Sequence, residues 1–160
     1  MYHSTSILLL DGRILVAGSN PNPNYNYTAT FPTKLRMESF SPENLGPDRA
    51  NLCPRITTAL DVISYGSSFT LKVSVELPIV GIIVVNMESA PFSTLSFSQG
   101  QRLIKLEVSF AIPDGLGASA YTITTTSPPT AIVAPPIYYM LITMNQGVPS
   151  IATWIQLVNK

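Results

Sequence analysis

Thiol and imidazole are scarce in this chain. Cys53 is the single cysteine and His3 the single histidine among 160 residues. One thiol excludes an internal disulfide and any zinc site built from clustered cysteines, so sulfur does not report the redox compartment. Charge is scarce as well. Nine Lys and Arg balance nine Asp and Glu, which leaves no basic excess to draw nucleic acid or an anionic lipid surface. The most apolar stretch, 71–85, is interrupted by Lys72, Glu76 and Pro78, too broken for a helical membrane span. The first residues lack a basic segment and carry an apolar run of only 7–10, so they do not read as a signal peptide. No GxSxG elbow, Walker loop, HExxH or paired-carboxylate motif occurs.

What is present points to β-structure. Apolar residues make up 46% of the chain, enough for a packed core rather than disorder. Fourteen prolines and nine glycines are spread along it, which suits short elements joined by tight turns. Residues 4–10 and 13–17 read as a hairpin around Asp11-Gly12, a two-residue turn in which both positions take positive φ. The Asn-, Pro- and Tyr-rich stretch 20–33 reads as a loop. It holds Asn26-Tyr27-Thr28, a glycosylation sequon and a weak hint of secretion. Residues 34–40 read as one further short strand, and 41–54, with three prolines and little periodicity, as a domain boundary.

Beyond residue 55 the pattern is β throughout. Leu71, Val73, Val75 and Leu77 alternate with polar residues, as do Leu106, Val108 and Phe110, and then Tyr121, Ile123 and Thr125. The continuous apolar run 80–85 reads as a strand covered on both faces. Residues 138–144 and 152–158 are the last two strands. Six or seven short strands over about a hundred residues predict a β-sandwich of immunoglobulin type. Tyr138, Tyr139 and Trp154 read as core, with a sugar-binding aromatic platform as the alternative. Cys53 reads as a buried apolar thiol. The two or three leading strands are too few to form a sheet-based domain alone.

Three segments carry a resemblance. The first is Met1-Tyr2-His3-Ser4 with Asp11-Gly12-Arg13 and Gly18-Ser19-Asn20-Pro21. The second is Phe92-Ser93-Thr94-Leu95-Ser96 leading to Gln101-Arg102. The third is Ala134-Pro135-Pro136-Ile137-Tyr138-Tyr139-Met140-Leu141 followed by Gly147-Val148-Pro149-Ser150. In order and spacing they resemble the galactose-oxidase and glyoxal-oxidase copper radical enzymes, including the plant aldehyde oxidases. The resemblance spans nearly the whole chain. It implies that 1–46 are the end of a kelch β-propeller, an incomplete blade and its loop, and that 53–160 are an immunoglobulin-like early set domain.

The resemblance also implies a site. In the family a copper ion is held by an axial tyrosine, two histidines and a second tyrosine crosslinked to a cysteine. An aldehyde or primary alcohol is oxidised while O2 is reduced to hydrogen peroxide. Tyr2 matches the axial tyrosine and base, and His3 the first histidine; phenolate oxygen and imidazole nitrogen both suit copper. The bland alternative makes both ordinary residues of a chain terminus. Leu95 occupies the second histidine's position and has no lone pair to donate. Cys53 matches nothing in the site. The crosslinked pair belongs to propeller blades outside this chain, so those blades are the implied partner, with a small aldehyde or alcohol as substrate. On these grounds the chain is expected to bind copper poorly and to be inactive alone, with a non-catalytic β-sandwich module as the alternative. Arg102 reads as a packing or carbonyl-binding arginine, and Ile137 replaces a glycine of the family. The family implies an extracellular or cell-wall location.

Overall fold

The structure, a computed structural model, describes residues 3–92, 101–115 and 119–159. Strands β1 (Thr5–Leu8), β2 (Ile14–Ala17) and β3 (Met37–Phe40) form an antiparallel sheet in that order. The hairpin joining β1 to β2 differs from the expected two-residue turn. Leu9 N donates to Arg13 O at 2.8 Å, Gly12 N donates to Leu9 O at 3.0 Å, and of the turn residues only Gly12 has positive φ, +84°. Leu10-Asp11-Gly12 is thus a three-residue loop, a turn closed by one left-handed glycine. Asp11 stays right-handed because its carboxylate holds its own turn: it accepts from Arg13 N at 3.1 Å and Arg13 Nε at 2.8 Å. Strand β3 is shorter than 34–40, but Ser19 and Lys34 exchange backbone hydrogen bonds at 3.1 and 2.8 Å and carry the pairing onward.

The proline-rich stretch that follows forms two short 3-10 helices, Glu43–Leu45 and Pro47–Leu52. Pro47 suits a first helical position, where its missing N–H costs nothing. Nine further strands follow: β4 (Arg55–Thr58), β5 (Val62–Ser64), β6 (Ser68–Ser74), β7 (Val84–Ser89), β8 (Leu103–Pro113), β9 (Ala120–Thr126), β10 (Tyr138–Asn145), β11 (Val148–Pro149) and β12 (Thr153–Val158). Their hydrogen-bonded order is β4-β6-β9-β8-β7-β10-β12-β5, with β11 on β10.

Strand β8 makes this ribbon a sandwich. Its first residues pair with β7, ending at Leu106↔Val85, and its remainder pairs with β9, beginning at Glu107↔Thr126. A bulge between Val108 and Phe110 accompanies the change of partner, as bulges do where a strand must bend. One layer is β4-β6-β9-β8 and the other β8-β7-β10-β12-β5, the immunoglobulin arrangement that the alternating pattern predicts. Alternate residues from both layers meet in one core: Phe69, Leu71 and Val73 of β6, Ile123 of β9, Val85 and Met87 of β7, Tyr139 and Leu141 of β10, Ile155 and Leu157 of β12. Each such aliphatic side chain contributes about 1.5–3 kcal/mol by leaving water.

Tyr139, the second residue of β10, is fully buried, and its hydroxyl donates to Pro135 O, four residues back, at 2.8 Å. This is the tyrosine corner of immunoglobulin folds. Tyr65 donates to the neighbouring carbonyl, Ala134 O, at 2.6 Å. The two phenols pin the loop that enters β10.

Several sequence expectations need correction. The run 80–85 is not covered on both faces: Val80 and Ile82 are exposed and only Ile83 and Val85 enter the core, because Gly81, at φ +85°, turns the chain before β7 begins. Leu77 lies past the end of β6 and is exposed. Tyr138 and Trp154 are not core but 56% and 41% exposed, since each stands one position before a core residue, Tyr139 or Ile155, and so faces the other side of its strand. Cys53 is half-buried and donates to Pro149 O at 3.3 Å, so its thiol serves a carbonyl rather than an apolar pocket.

Candidate functional site

Of the three site residues named from sequence, Tyr2 and Leu95 lie outside the described residues. His3 is described. It is exposed, lies two residues before β1, and has φ +49°, a left-handed conformation that histidine adopts more readily than bulkier residues. Its carbonyl faces Gly18, at the far end of β2. Gly18 has φ +85°, and a Cβ there would sit 3.4 Å from His3 O and 3.7 Å from Ser4 Cα. The glycine of the Gly18-Ser19-Asn20-Pro21 segment is therefore needed for its left-handed conformation, while the space around it would admit a Cβ at ordinary contact distance.

Beside this end lies a hollow of about 340 Å³ lined by Val16, Gly18, Phe31 and Pro32, with Lys34, Arg36 and Glu38 along one side. Two cations and one carboxylate stand over its apolar floor.

Copper requires more donors than this end of the sheet provides. Among the described residues no group of three or more His, Cys, Asp or Glu side chains converges. His3 is the only imidazole in the chain, and leucine stands at position 95. One imidazole and an adjacent phenol do not fit a four-ligand copper centre, and no reaction step follows from these residues alone.

The resembling segments do other work, which the structure makes plain. The Asp11-Gly12-Arg13 turn abuts the Gly147-Val148-Pro149-Ser150 segment. Ala152 N donates to Leu10 O at 2.7 Å, and a Cβ on Gly12 would lie 3.3 Å from Leu45 Cδ1 and 3.4 Å from Pro149 Cγ. The connecting 3-10 helices fasten to the same β10–β11 hairpin. Asn44 Nδ2 donates to Gly147 O at 2.9 Å, Arg49 to Gln146 O at 3.0 Å, and Asn145 Nδ2 to Leu52 O at 3.0 Å. That hairpin holds the two-residue turn with both φ values positive, Gln146 at +50° and Gly147 at +80°. First and third segments thus meet at a junction that seats the three-stranded sheet on the sandwich. Burial raises the Cys53 thiol pKa, with Glu76 adding to the rise and Arg55 opposing it.

The second and third segments meet as well. Arg102 donates to Ile132 O at 2.8 Å and Val133 O at 2.7 Å, directly before Ala134-Pro135-Pro136. Its backbone is tied to Ser89, whose Oγ accepts from Arg102 N at 2.8 Å. The reading of Arg102 as a carbonyl-binding arginine is correct. Sequence reasoning missed Asn44, Arg49 and Asn145. Their partners are backbone carbonyls about a hundred positions away, and no local spacing signals such a pair.

Comparison with known proteins agrees with this architecture. A sequence model of the galactose oxidase-like early set domain matches residues 53–157, and one of the glyoxal oxidase N-terminus matches residues 1–44. The chain belongs to the galactose oxidase-like early set family. It is 54% identical over 158 residues to Aldehyde oxidase GLOX of Vitis pseudoreticulata, covering 99% of this chain and 30% of that protein. It is 39% identical over 162 residues to Aldehyde oxidase GLOX1 of Arabidopsis thaliana, covering 99% of this chain and 26% of that one. A WSC domain-containing protein of Arthroderma benhamiae is 32% identical over 160 residues, covering 15% of its length. The chain thus spans less than a third of each of these relatives.

Proposed function

We propose that this early set chain is the C-terminal share of a copper radical oxidase. That enzyme converts an aldehyde and water to an acid, or a primary alcohol to an aldehyde, as O2 becomes hydrogen peroxide. The carrying observation is that two parts of one enzyme family match consecutively in one chain, residues 1–44 and then 53–157. In this reading residues 1–46 are strands of a kelch propeller blade, and 53–160 are the domain that braces it. A full blade has four strands, and the sheet here has three. The remaining blades would come from a longer polypeptide, which is the chain's partner. Tyr2 and His3 would be two of the residues that hold the copper, with the Tyr2 phenolate also serving as base, and the copper would supply one-electron redox chemistry.

Leu95 removes a donor from the set. Copper bound through Tyr2 and His3 alone would be weak, because each missing ligand takes away binding free energy. The chain alone would then be inactive. The balanced charge fits neither nucleic acid nor an anionic membrane as partner. An extracellular or cell-wall setting suits the proposed chemistry, whose product is peroxide.

A second reading, a non-catalytic module, is favoured by one observation: no second histidine exists to replace position 95. Joining the chain to kelch blades of a related oxidase, loading copper, and assaying peroxide from a small aldehyde separates the two. Activity in the chimera, increased by Leu95→His, supports the oxidase. A chimera that folds, carries the crosslinked tyrosine, and stays silent even with Leu95→His defeats it.

A further inference from the structure

We propose that Asn26 is a site of N-linked glycosylation. Asn26-Tyr27-Thr28 is the only Asn-x-Ser/Thr triplet in the chain, neither Tyr27 nor Ala29 is proline, and the hydroxyl residue is threonine. Such triplets arise by chance, and what sets this one apart is its display in the fold.

The loop from residue 20 to 33 is held from inside. Thr33, a buried residue, accepts at Oγ1 from Asn26 N at 2.9 Å and donates from Oγ1 to Asn20 Oδ1 at 2.8 Å. Thr33 N donates to Asn26 O at 2.7 Å. The Asn26 backbone is thus anchored while its side chain is exposed.

Within that side chain the two ends differ. Oδ1 accepts three hydrogen bonds, from Thr28 N at 3.0 Å, Thr28 Oγ1 at 3.2 Å and Ala29 N at 3.0 Å. Nδ2 donates none among the described residues. The oxygen organises the turn, and the nitrogen, the atom that takes the sugar, is left to solvent. The threonine hydroxyl that defines the triplet already contacts the acceptor amide. A glycan on Nδ2 would break no hydrogen bond of the fold.

The surroundings explain a second feature. Tyr25 and Tyr27, on either side of Asn26, are 72% and 59% exposed. Isolated exposed aromatics are ordinary, but two flanking one acceptor present apolar ring faces on which the first sugar can rest.

The chemistry is a group transfer without oxidation. Asn26 Nδ2 attacks the anomeric carbon of an oligosaccharide carried on a lipid diphosphate. The N–C bond forms and the C–O bond to the diphosphate breaks. The diphosphate leaves with the electron pair, and the amide gives one proton to the transferase.

The site rests on the proposed extracellular setting only for its route through the secretory pathway. The test supplies that route and leaves copper and catalysis out. The chain is secreted from eukaryotic cells behind a cleavable leader and treated with peptide N-glycosidase. The expected result is a gel shift that the glycosidase collapses, with Asn26 then read as Asp by peptide mass spectrometry. Asn26→Asp keeps the acceptor oxygen that shapes the turn, and Thr28→Ala removes the hydroxyl; both should lose the shift, and Thr28→Ser should retain part of it. Secreted protein whose Asn26 peptide is unmodified overturns the proposal. So does a glycosidase-sensitive shift that survives Asn26→Asp.

Discussion

Replacing Tyr139 by phenylalanine removes one oxygen and leaves the ring in the core. That oxygen donates to Pro135 O at 2.8 Å, and the residue is fully buried. The net value of such a hydrogen bond is about 1 kcal/mol, and the half-buried Pro135 carbonyl can recover part of it from water. For a chain of this size the loss corresponds to a melting temperature lower by about 2–4 °C. Tyr138 is the internal control. It is exposed, its hydroxyl has no hydrogen-bond partner among the described residues, and Tyr138→Phe should shift stability by less than about 0.5 kcal/mol. Thermal denaturation followed by circular dichroism at neutral pH measures both.

The same hydroxyl gives a pH signature. Burial raises the Tyr139 phenol above its ordinary 10.0, the neighbouring Tyr65 adds to the rise, and Arg102 opposes it. A raised folded-state pKa favours the neutral phenol in the fold. Its contribution is intact below pH 10 and is lost as pH climbs through the folded value. The gap between wild type and Tyr139→Phe should therefore narrow above pH 10. Equal melting of the two at neutral pH, or an equal loss from Tyr138→Phe, would refute the role given to the corner.

Gly12→Ala should cost more than 1 kcal/mol, roughly, because alanine is strained at φ +84° and its Cβ would press on Leu45 and Pro149; chemical denaturation measures it. Arg102→Ala should free the loop before β10 and cost about 1 kcal/mol, seen as faster proteolytic cleavage at Ile132 and Val133, whose carbonyls it holds. Cys53, with its pKa raised and its thiol turned to Pro149 O, should alkylate more slowly than a free model thiol at pH 8, roughly the point where free thiols begin to ionise.

Much of the sandwich was legible because alternation is a local signal. Leu71 and Val73, and Ile123 and Thr125, all enter the core at the expected phase, and Tyr139 is core as read. Phase failed where a single residue altered the path. Gly81 turns the chain inside an apolar run, and Tyr138 precedes Tyr139 by one position and so faces the other way. The opening hairpin was found, but its turn type was not, because Asp11 bonds to its neighbour Arg13 instead of adopting positive φ. The junction was the least legible feature. Its segments were visible as a family resemblance, but that Leu10 meets Ala152 and Asn44 meets Gly147 depends on folding across the whole chain. His3 was singled out from the sequence as a candidate ligand, and the structure describes only its backbone setting. Its left-handed backbone and its approach to Gly18 carry no sequence signature beyond the glycine itself.

Copper titration of the purified chain, alone and joined to kelch blades of a related oxidase, followed by electron paramagnetic resonance, tests the shared-centre account most directly. The account predicts only weak, non-stoichiometric copper in the isolated chain, and a defined type of site in the joined protein that sharpens when Leu95→His restores the donor. Stoichiometric copper on the isolated chain, accompanied by oxygen-dependent oxidation of an aldehyde, would contradict it.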